Sequence, residues 1–198
     1  MFASFEVLER EALACTKCPL AETRTQVVFG AGDPHADLMF VGEGPGEQED
    51  LQGIPFVGRA GKLLTSLIEG IGLDRHAVYI AHVVKCRPPG NRDPLPLEIE
   101  TCRPYLEAQV AFIDPKVVVT LGNFATKLLL GTKEGITKLR GQQFPYRTGS
   151  MPERPEGSVL VPTLHPSAVL RNGGTALANA RADFVKAKRA LARSQAAS

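Results

Sequence analysis

The four cysteines of this 198-residue chain constrain its folding more than any other feature. Cys15 and Cys18 are separated by two residues, whereas Cys86 and Cys102 stand alone in the middle of the chain. Four thiols are the ligand set of one iron–sulfur cluster or of one tetrahedral zinc ion. A shared metal centre would therefore join the N-terminal segment to the centre of the chain. The alternative is that all four are ordinary buried thiols, although the first pair lies in a polar segment.

Length and apolar content bound the architecture. With 43% apolar residues the chain can bury one sizeable core, so we predict a single domain over residues 1–198. The first twenty residues carry acids where a targeting peptide has a basic start, and no apolar run approaches the roughly eighteen residues of a membrane helix. We expect a cytoplasmic monomer, whose thiols stay reduced and available to metal.

Charge is distributed unevenly along the chain, although its net value is only +2. Residues 1–58 contain ten acids and three bases, whereas residues 59–198 contain eleven acids and twenty bases. The larger part can therefore present a positive surface to a polyanion such as nucleic acid. Scattered solvated charges would give the same count, so this pattern permits a nucleic-acid partner without establishing one.

Four short apolar runs predict buried parallel strands, because they are β-branched and bounded by glycine, proline or charged residues. They cover residues 38–41, 78–84, 117–121 and 159–161. Helical patterns alternate with them at residues 63–71, from Pro104 to residue 113, and at residues 177–191. This order predicts an α/β fold, a three-layer α/β/α sandwich with a central, mainly parallel four-stranded sheet. Residues 149–157 are predicted as a surface loop.

Polar or conformationally special residues follow each predicted strand. These segments are residues 42–47, 82–87, 122–123 and 165–168. In open α/β sheets ligands bind beyond the carboxyl ends of the strands, so we expect the four segments to meet at one crevice. The first segment is not a dinucleotide fingerprint, because Glu47 stands where the third glycine of G-x-G-x-x-G belongs.

Three motifs, in order along the chain, carry a resemblance to a known family. They are GEGPGE at residues 42–47, VVKCRPP at residues 83–89 and HPSA at residues 165–168. Together with the four cysteines they resemble the iron–sulfur family 4 uracil-DNA glycosylases, over nearly the whole chain. The resemblance implies the fold of that family and a DNA repair activity on uracil-containing DNA. Such an enzyme flips the uracil out of the helix and hydrolyses its N-glycosidic bond, leaving an abasic site.

The resemblance also implies the cofactor and the base pocket. Cys15, Cys18, Cys86 and Cys102 would hold a structural 4Fe-4S cluster. Phe56 would stack on the uracil ring, with Gly42, Glu43 and Gly44 lining the pocket.

His165 would donate a hydrogen bond to uracil O2. A donor there makes chemical sense, because the departing uracil is an anion whose charge spreads to O2. The alternative role for His165 is to cap the short helix that Pro166 begins.

The resemblance does not single out one group that orients the attacking water. Gly44 stands near the position where the best-known uracil glycosylases carry an aspartate base. The candidates for orienting water or balancing the cationic sugar are Glu43, Glu47, Glu49 and Asn91.

His82 departs from the family pattern, in which this position is commonly asparagine. An amide there would meet both O4 and N3–H of uracil, whereas a neutral imidazole carries its donor and its acceptor on different edges. We hypothesise that His82 donates to O4, with a water at N3–H, and that discrimination against cytosine is altered or pH-dependent. The alternative is that His82 packs in the strand and another group reads the base.

Contacts with the DNA backbone are expected from basic residues and from the loop after the fourth strand. The predicted residues are Lys62, Lys85, Arg87, Ser167, Leu170 and Arg171. Leu170 and Arg171 would fill the gap that the flipped base leaves in the stack. Leu170 could instead make a minor core contact.

Two other functions are compatible with the same residues. One is a non-catalytic iron–sulfur protein that binds or senses DNA, which the departure at His82 keeps open. The other is a zinc-stabilised α/β hydrolase that acts on small nucleosides. Release of free uracil separates the first from a glycosylase, and absorbance near 400 nm separates an iron–sulfur centre from zinc.

Overall fold

A mixed six-stranded sheet organises the chain in the computed structural model, which describes residues 2–147 and 158–196. The strands are Ala31–Gly32 (β1), Leu38–Gly42 (β2), Tyr79–His82 (β3), Val117–Leu121 (β4), Phe144–Tyr146 (β5) and Ser158–Thr163 (β6). Their spatial order is β1-β3-β2-β4-β6-β5. The four central strands are parallel, as predicted, whereas β1 and β5 pair antiparallel at the two edges.

The two edge strands are absent from the sequence-based prediction because each is too short to show a pattern. β1 has two residues, and a Cβ at Gly32 would lie 1.8 Å from the carbonyl oxygen of Val78, so only glycine fits this pairing. β5 has three residues and contains Pro145, which is typical of an edge strand.

Helices cover both faces of the sheet. They are Phe5–Leu13 (α1), Leu20–Thr23 (α2), Glu47–Gln52 (α3), Arg59–Gly70 (α4), Pro96–Ile113 (α5), Asn123–Leu130 (α6), Ile136–Leu139 (α7), Pro166–Asn172 (α8) and Gly174–Ala196 (α9). Short 3₁₀ turns occupy Arg75–Ala77 and Pro89–Asn91.

Alternate residues of the strands face two separate cores, as the period of two requires. Met39 and Val41 of β2 pack in the core that contains residues of α1 and α5. Leu38 and Phe40 pack on the other face with α4 and α9, where the Phe40 and Phe184 rings stack at 5.3 Å. The predicted three-layer arrangement is therefore confirmed.

The prediction that a helix begins at Pro104 is wrong. α5 begins at Pro96, because the Glu98 carboxylate accepts a hydrogen bond from the Leu95 N–H at 2.7 Å and caps the first turn. Pro104 lies inside the helix, where it removes one backbone hydrogen bond without ending the element.

The other two predicted helices are confirmed as α4 and α9. The predicted loop at residues 149–157 lies outside the described residues. No helix in the described part of the chain is long and apolar enough to cross a membrane.

Candidate active site

A cleft of about 560 Å³ opens at the carboxyl ends of the four parallel strands. All four segments that follow these strands contribute to its wall, so the expected convergence is confirmed. The residues around the cleft include Glu43, Gly44, Pro45, Gly46, Glu49, Phe56, His82, Asn91, Arg92, Asp93, Gly122, Asn123, Phe124, Ile136, His165, Ser167, Ala168 and Arg171.

Phe56 contacts two imidazole rings in this cleft. Its ring centroid is 4.8 Å from that of His82, with 22° between the planes, and 5.8 Å from that of His165. Gly42 makes this packing possible, because a Cβ there would come within 2.6 Å of the Phe56 ring and 3.0 Å of His82. Gly42 is not among the residues that line the cleft. Its backbone instead packs closely against the Phe56 and His82 rings.

His165 is the N-cap residue of α8. Its Nδ1 accepts a hydrogen bond from the backbone N–H of Ser167 at 3.1 Å. Burial, together with the positive charge of Arg171, lowers the pKa of His165 to about 4. The ring is therefore neutral near pH 7, and because Nδ1 is an acceptor its proton lies on Nε2. The capping alternative is confirmed as a contact, and it leaves a donor free for substrate.

His82 is the last residue of β3 and is only 2% exposed. Its Nδ1 is buried and has no hydrogen-bond partner. Burial holds the pKa of this imidazole well below its ordinary value, with smaller effects from Lys85 and His165. His82 is therefore a neutral side chain that packs on Phe56 and also lines the cleft.

Glu43 is the half-buried acid at the end of β2. Burial raises its pKa to about 7, and the nearby negative charge of Asp93 adds to the effect. The carboxyl group therefore changes charge near neutral pH, which suits a group that exchanges protons with water. Asp93 is a cleft residue that sequence reasoning missed, because no motif marks it.

Glu49 has a structural role that differs from its prediction as a water-orienting group. One carboxylate oxygen accepts hydrogen bonds from the N–H groups of Val57 and Gly58, at 2.9 and 3.0 Å. The other accepts from the N–H of Gly46 at 3.1 Å. Glu49 is therefore a positioning residue that joins the loop after β2 to the segment that holds Phe56.

Asn91 lies at the mouth of the cleft in the left-handed backbone region, with φ of 55°. Its Oδ1 accepts a hydrogen bond from Arg87 Nε at 2.7 Å, and the Arg87 guanidinium lies 4.0 Å from Glu47. These contacts leave the Asn91 amide nitrogen as a donor.

Arg92 holds the same loop from the other side. It makes a two-pronged ion pair with the buried Glu98, at 2.9 and 2.7 Å.

The prediction that Lys85 contacts DNA is wrong. Its side chain is 2% exposed, and Nζ donates to the carbonyl oxygen of His82 at 2.8 Å and to Gln109 Oε1. Gln109 in turn donates to the carbonyl oxygen of Phe29 at 2.9 Å. The amine is satisfied inside the protein, so it stabilises the end of β3 instead of reaching solvent.

The remaining residues predicted to contact DNA are accessible. Ser167 and Arg171 line the cleft, and Leu170 on α8 is 44% exposed. Lys62 lies on α4, in a neighbouring groove that shares Phe56 with the cleft.

Some cleft residues were not predicted as site residues. They are Arg92, Asp93, Phe124 and Ile136. Asn123 follows β4 and belongs to residues 122–123, which the strand pattern predicts at the crevice. Ile136 comes from α7, and its N–H donates to Asn123 Oδ1 at 2.9 Å, a contact that no local pattern indicates.

All four cysteines line one small hollow between α1, α5 and the segment after β3. Arg24 Nη1 donates to Cys86 Sγ at 3.3 Å, and the Lys85 N–H donates to Cys102 Sγ at 3.2 Å. Burial raises the pKa of Cys102 to about 11 and raises the pKa of Cys86. Over residues 2–147 and 158–196, no three His, Cys, Asp or Glu side chains are grouped closely enough to hold a single metal ion.

Comparison with known proteins identifies the relatives of this chain. The family model of the uracil DNA glycosylase superfamily matches residues 29–192. A type-4 uracil-DNA glycosylase of Sulfurisphaera tokodaii is 47% identical over 174 residues, covering 85% of this chain and 77% of the relative. Those of Thermotoga maritima and Archaeoglobus fulgidus are 46% and 42% identical, each covering 84% of this chain and 83% of the relative.

Proposed function

This chain belongs to the type-4 uracil-DNA glycosylases of the uracil-DNA glycosylase superfamily, and we propose that its cleft binds a uracil flipped out of DNA and hydrolyses the bond between uracil N1 and deoxyribose C1′. The observation that carries this proposal is the contact of Phe56 with two neutral imidazoles at the edge of the sheet where four strands end. An aromatic face with polar groups at its edges suits a flat base that carries oxygens on its rim.

His165 stabilises the leaving group. As the C1′–N1 bond breaks, its electron pair passes to the uracil, and the negative charge spreads from N1 to O2. A neutral Nε2–H donor directed at O2 meets charge that develops mainly in the transition state, so it lowers the barrier more than it strengthens substrate binding. Water then adds its hydroxyl to C1′, and the remaining proton ends on N1 of the released base.

Glu43 and Asn91 are the groups that we assign to the water and the cationic sugar. Above its pKa of about 7 the Glu43 carboxylate can accept the proton of the attacking water and balance the positive sugar. Asn91 can donate through its amide nitrogen, since Arg87 holds its oxygen. Glu49 acts through the backbone of the loop and does not contact the water in this proposal.

DNA would lie across the mouth of the cleft. Arg171 and Ser167 on α8 are the proposed phosphate contacts, with Lys62 and Arg87 adding positive charge. The exposed Leu170 would enter the gap left by the flipped nucleotide.

The thiol donor set fits a 4Fe-4S cluster bound by Cys15, Cys18, Cys86 and Cys102. A tetrahedral zinc site would bring the sulfurs to about 3.8 Å from one another, given Zn–S bonds of about 2.3 Å. All four thiols line one hollow, and four cysteine thiolates are the usual ligand set of a 4Fe-4S cluster, which supports this assignment. When bound, the cluster supplies a structural cross-link between the N-terminal segment and the loop after β3. The N–H donors of Arg24 and Lys85 would stabilise its sulfurs.

We further propose that residues 1–198 act as one domain and as a monomer in the cytoplasm. The sheet takes its strands from Ala31 to Thr163, and α9 packs back on it, so the described elements share one scaffold. A reducing compartment would keep the four thiols available to iron.

The proposal is tested with the holoprotein and a duplex oligonucleotide that contains one uracil. We expect free uracil and an alkali-labile abasic site in equal amounts. Binding to the same duplex without release of uracil would instead support the alternative, a non-catalytic iron–sulfur protein that binds or senses DNA.

A further inference from the structure

Both imidazoles in the cleft present a protonated Nε2 to a ligand. Nδ1 of His165 accepts from Ser167, so its hydrogen is on Nε2. Nδ1 of His82 is buried without a partner, so Nε2 is the nitrogen that remains available to the cleft. In proteins, a buried N–H without an acceptor is rarer than a buried acceptor without a donor. The single hydrogen of neutral His82 is therefore placed on Nε2 as well, and the buried Nδ1 is the acceptor.

The orientation of His82 suits an in-plane hydrogen bond to a base. Its ring lies within 22° of the Phe56 plane. A base that stacked on the same face of Phe56, beside His82, would be nearly coplanar with the imidazole, and the Nε2–H could meet the rim of that base. Carbonyl oxygens accept hydrogen bonds close to their own plane, so a ring carbonyl is the group that this donor fits.

From this geometry we propose that His82 reads the base only through a carbonyl oxygen at C4 and does not require the hydrogen at N3, so that N3-methyluracil in DNA is a further substrate of this cleft. The proposal rests on the proposed function and deepens it. His82 has no second atom with which to accept from N3–H, because its other nitrogen is buried. A methyl group at N3 therefore takes the place of a water and breaks no bond to this residue.

Cytosine is rejected by the same contact. Its amino group at C4 is a donor, and it would face the Nε2–H donor of His82 across the shared plane. The chemistry of excision is unchanged by a methyl group at N3. The C1′–N1 bond breaks, its electron pair spreads to O2 and O4, water supplies the hydroxyl on C1′, and the proton ends on N1.

The test compares duplex oligonucleotides that carry uracil, N3-methyluracil or cytosine at one position, with release of base measured by mass spectrometry. The holoprotein is expected to excise N3-methyluracil within about tenfold of its kcat/KM for uracil, and to leave cytosine intact. In His82→Asn the amide oxygen would meet the methyl group. The preference for uracil over N3-methyluracil should then rise to about a hundredfold or more.

His76→Asn is the matched control, because His76 is an exposed histidine on the 3₁₀ turn before β3 and lies outside the cleft. It should leave the ratio of the two rates unchanged. Absorbance near 400 nm checks that each variant keeps its cluster, and His82→Gln supplies an amide if His82→Asn does not fold.

Excision of uracil with rejection of N3-methyluracil by the unaltered protein would overturn the inference and leave the proposed function standing. Excision of neither base would overturn both.

Discussion

Nδ1 of His165 accepts a hydrogen bond from the backbone N–H of Ser167 at 3.1 Å. This contact fixes the ring at the start of α8 and commits one nitrogen as an acceptor. The other nitrogen, Nε2, then carries the hydrogen, and His165 is one of the residues that line the cleft. Burial keeps the ring neutral by lowering its pKa to about 4, so the donor is present throughout the physiological pH range. One local contact thus caps a helix and fixes the ring that we propose as the leaving-group donor.

His165→Asn separates these two roles. Asparagine is a good N-cap residue, so the free energy of unfolding should stay within about 1 kcal/mol of the native value. The shorter amide does not reach uracil O2, so the single-turnover rate of uracil excision should fall by about a hundredfold or more. Urea denaturation and rapid-quench kinetics measure the two quantities. A rate within threefold of the native value would remove His165 from the catalytic group.

The raised pKa of Glu43 predicts how the rate of the reaction depends on pH. With a pKa of about 7, the carboxylate becomes the main form only above neutrality, so kcat should rise through pH 7, where it is half its maximum, and level off about one pH unit higher. Glu43→Gln should lower the rate at pH 8 by about a hundredfold and abolish the rising limb. Identical pH profiles for the two proteins would assign the water to another group.

The same carboxyl group makes stability fall as the pH rises. The unfolded chain loses this proton near pH 4.5, whereas the folded protein keeps it until about pH 7. Stability therefore declines across this window as the pH increases. Glu43→Gln should be more stable than the native protein above pH 7, on the order of 1 kcal/mol after solvent screening, with no such gain below pH 4.5. Thermal unfolding at pH 4 and pH 8 tests the sign.

Glu49→Gln should destabilise the loop that carries the cleft. Its two oxygens accept from three backbone N–H groups, and the amide would direct its own N–H₂ at one or more of them. We expect a loss of about 2 kcal/mol in the free energy of unfolding. Glu47→Gln is the control, because Glu47 is exposed and its weak ion pair with Arg87 spans 4.0 Å. Its free energy of unfolding should fall by no more than about 0.5 kcal/mol. Equal losses would contradict the role given to Glu49.

Salt dependence distinguishes surface charge from buried charge. Arg171→Gln should reduce the slope of log Kd against log salt concentration by about 0.9, as expected when one phosphate contact is lost. Lys85→Met should leave that slope unchanged, because its amine is held by His82 and Gln109 inside the protein. A reduced slope for Lys85→Met would mean that the side chain reaches DNA.

Removal of one thiol should release the proposed cluster. Cys102→Ser is expected to lose absorbance near 400 nm and to contain little iron, since the chain has no fifth cysteine to replace it. Thr16→Ser, between the first two cysteines, should retain both signals. Full absorbance and iron content in Cys102→Ser would exclude that thiol as a ligand.

The parallel strands and the position of the cleft follow from local patterns. Runs such as Val117–Leu121 are continuous and β-branched because both faces of a central strand are buried, and this signal survives without tertiary information. The polar segments after these strands then had to meet, because parallel strands end at the same edge of a sheet. The resemblance predicts that His165 and Phe56 share one pocket, and their rings lie 5.8 Å apart, with His165 after β6 and Phe56 on the segment before α4.

Long-range contacts account for what the sequence does not reveal. The charge of Lys85 predicts an exposed side chain. Its ammonium group instead donates hydrogen bonds in the interior, to Gln109 on α5 and to the carbonyl oxygen of His82. The sequence predicts a catalytic acid at Glu49, but its carboxylate accepts hydrogen bonds from the backbone N–H groups of Val57 and Gly58. In each case the deciding partner lies outside the local pattern.

The most direct test of this account measures free uracil and abasic sites in the same reaction, with excess holoprotein over a duplex that carries one uracil. We predict one uracil released per abasic site for the native protein, and a rate about a hundredfold lower for His165→Asn. Tight binding of the duplex by the native protein, with no uracil released, would contradict the account.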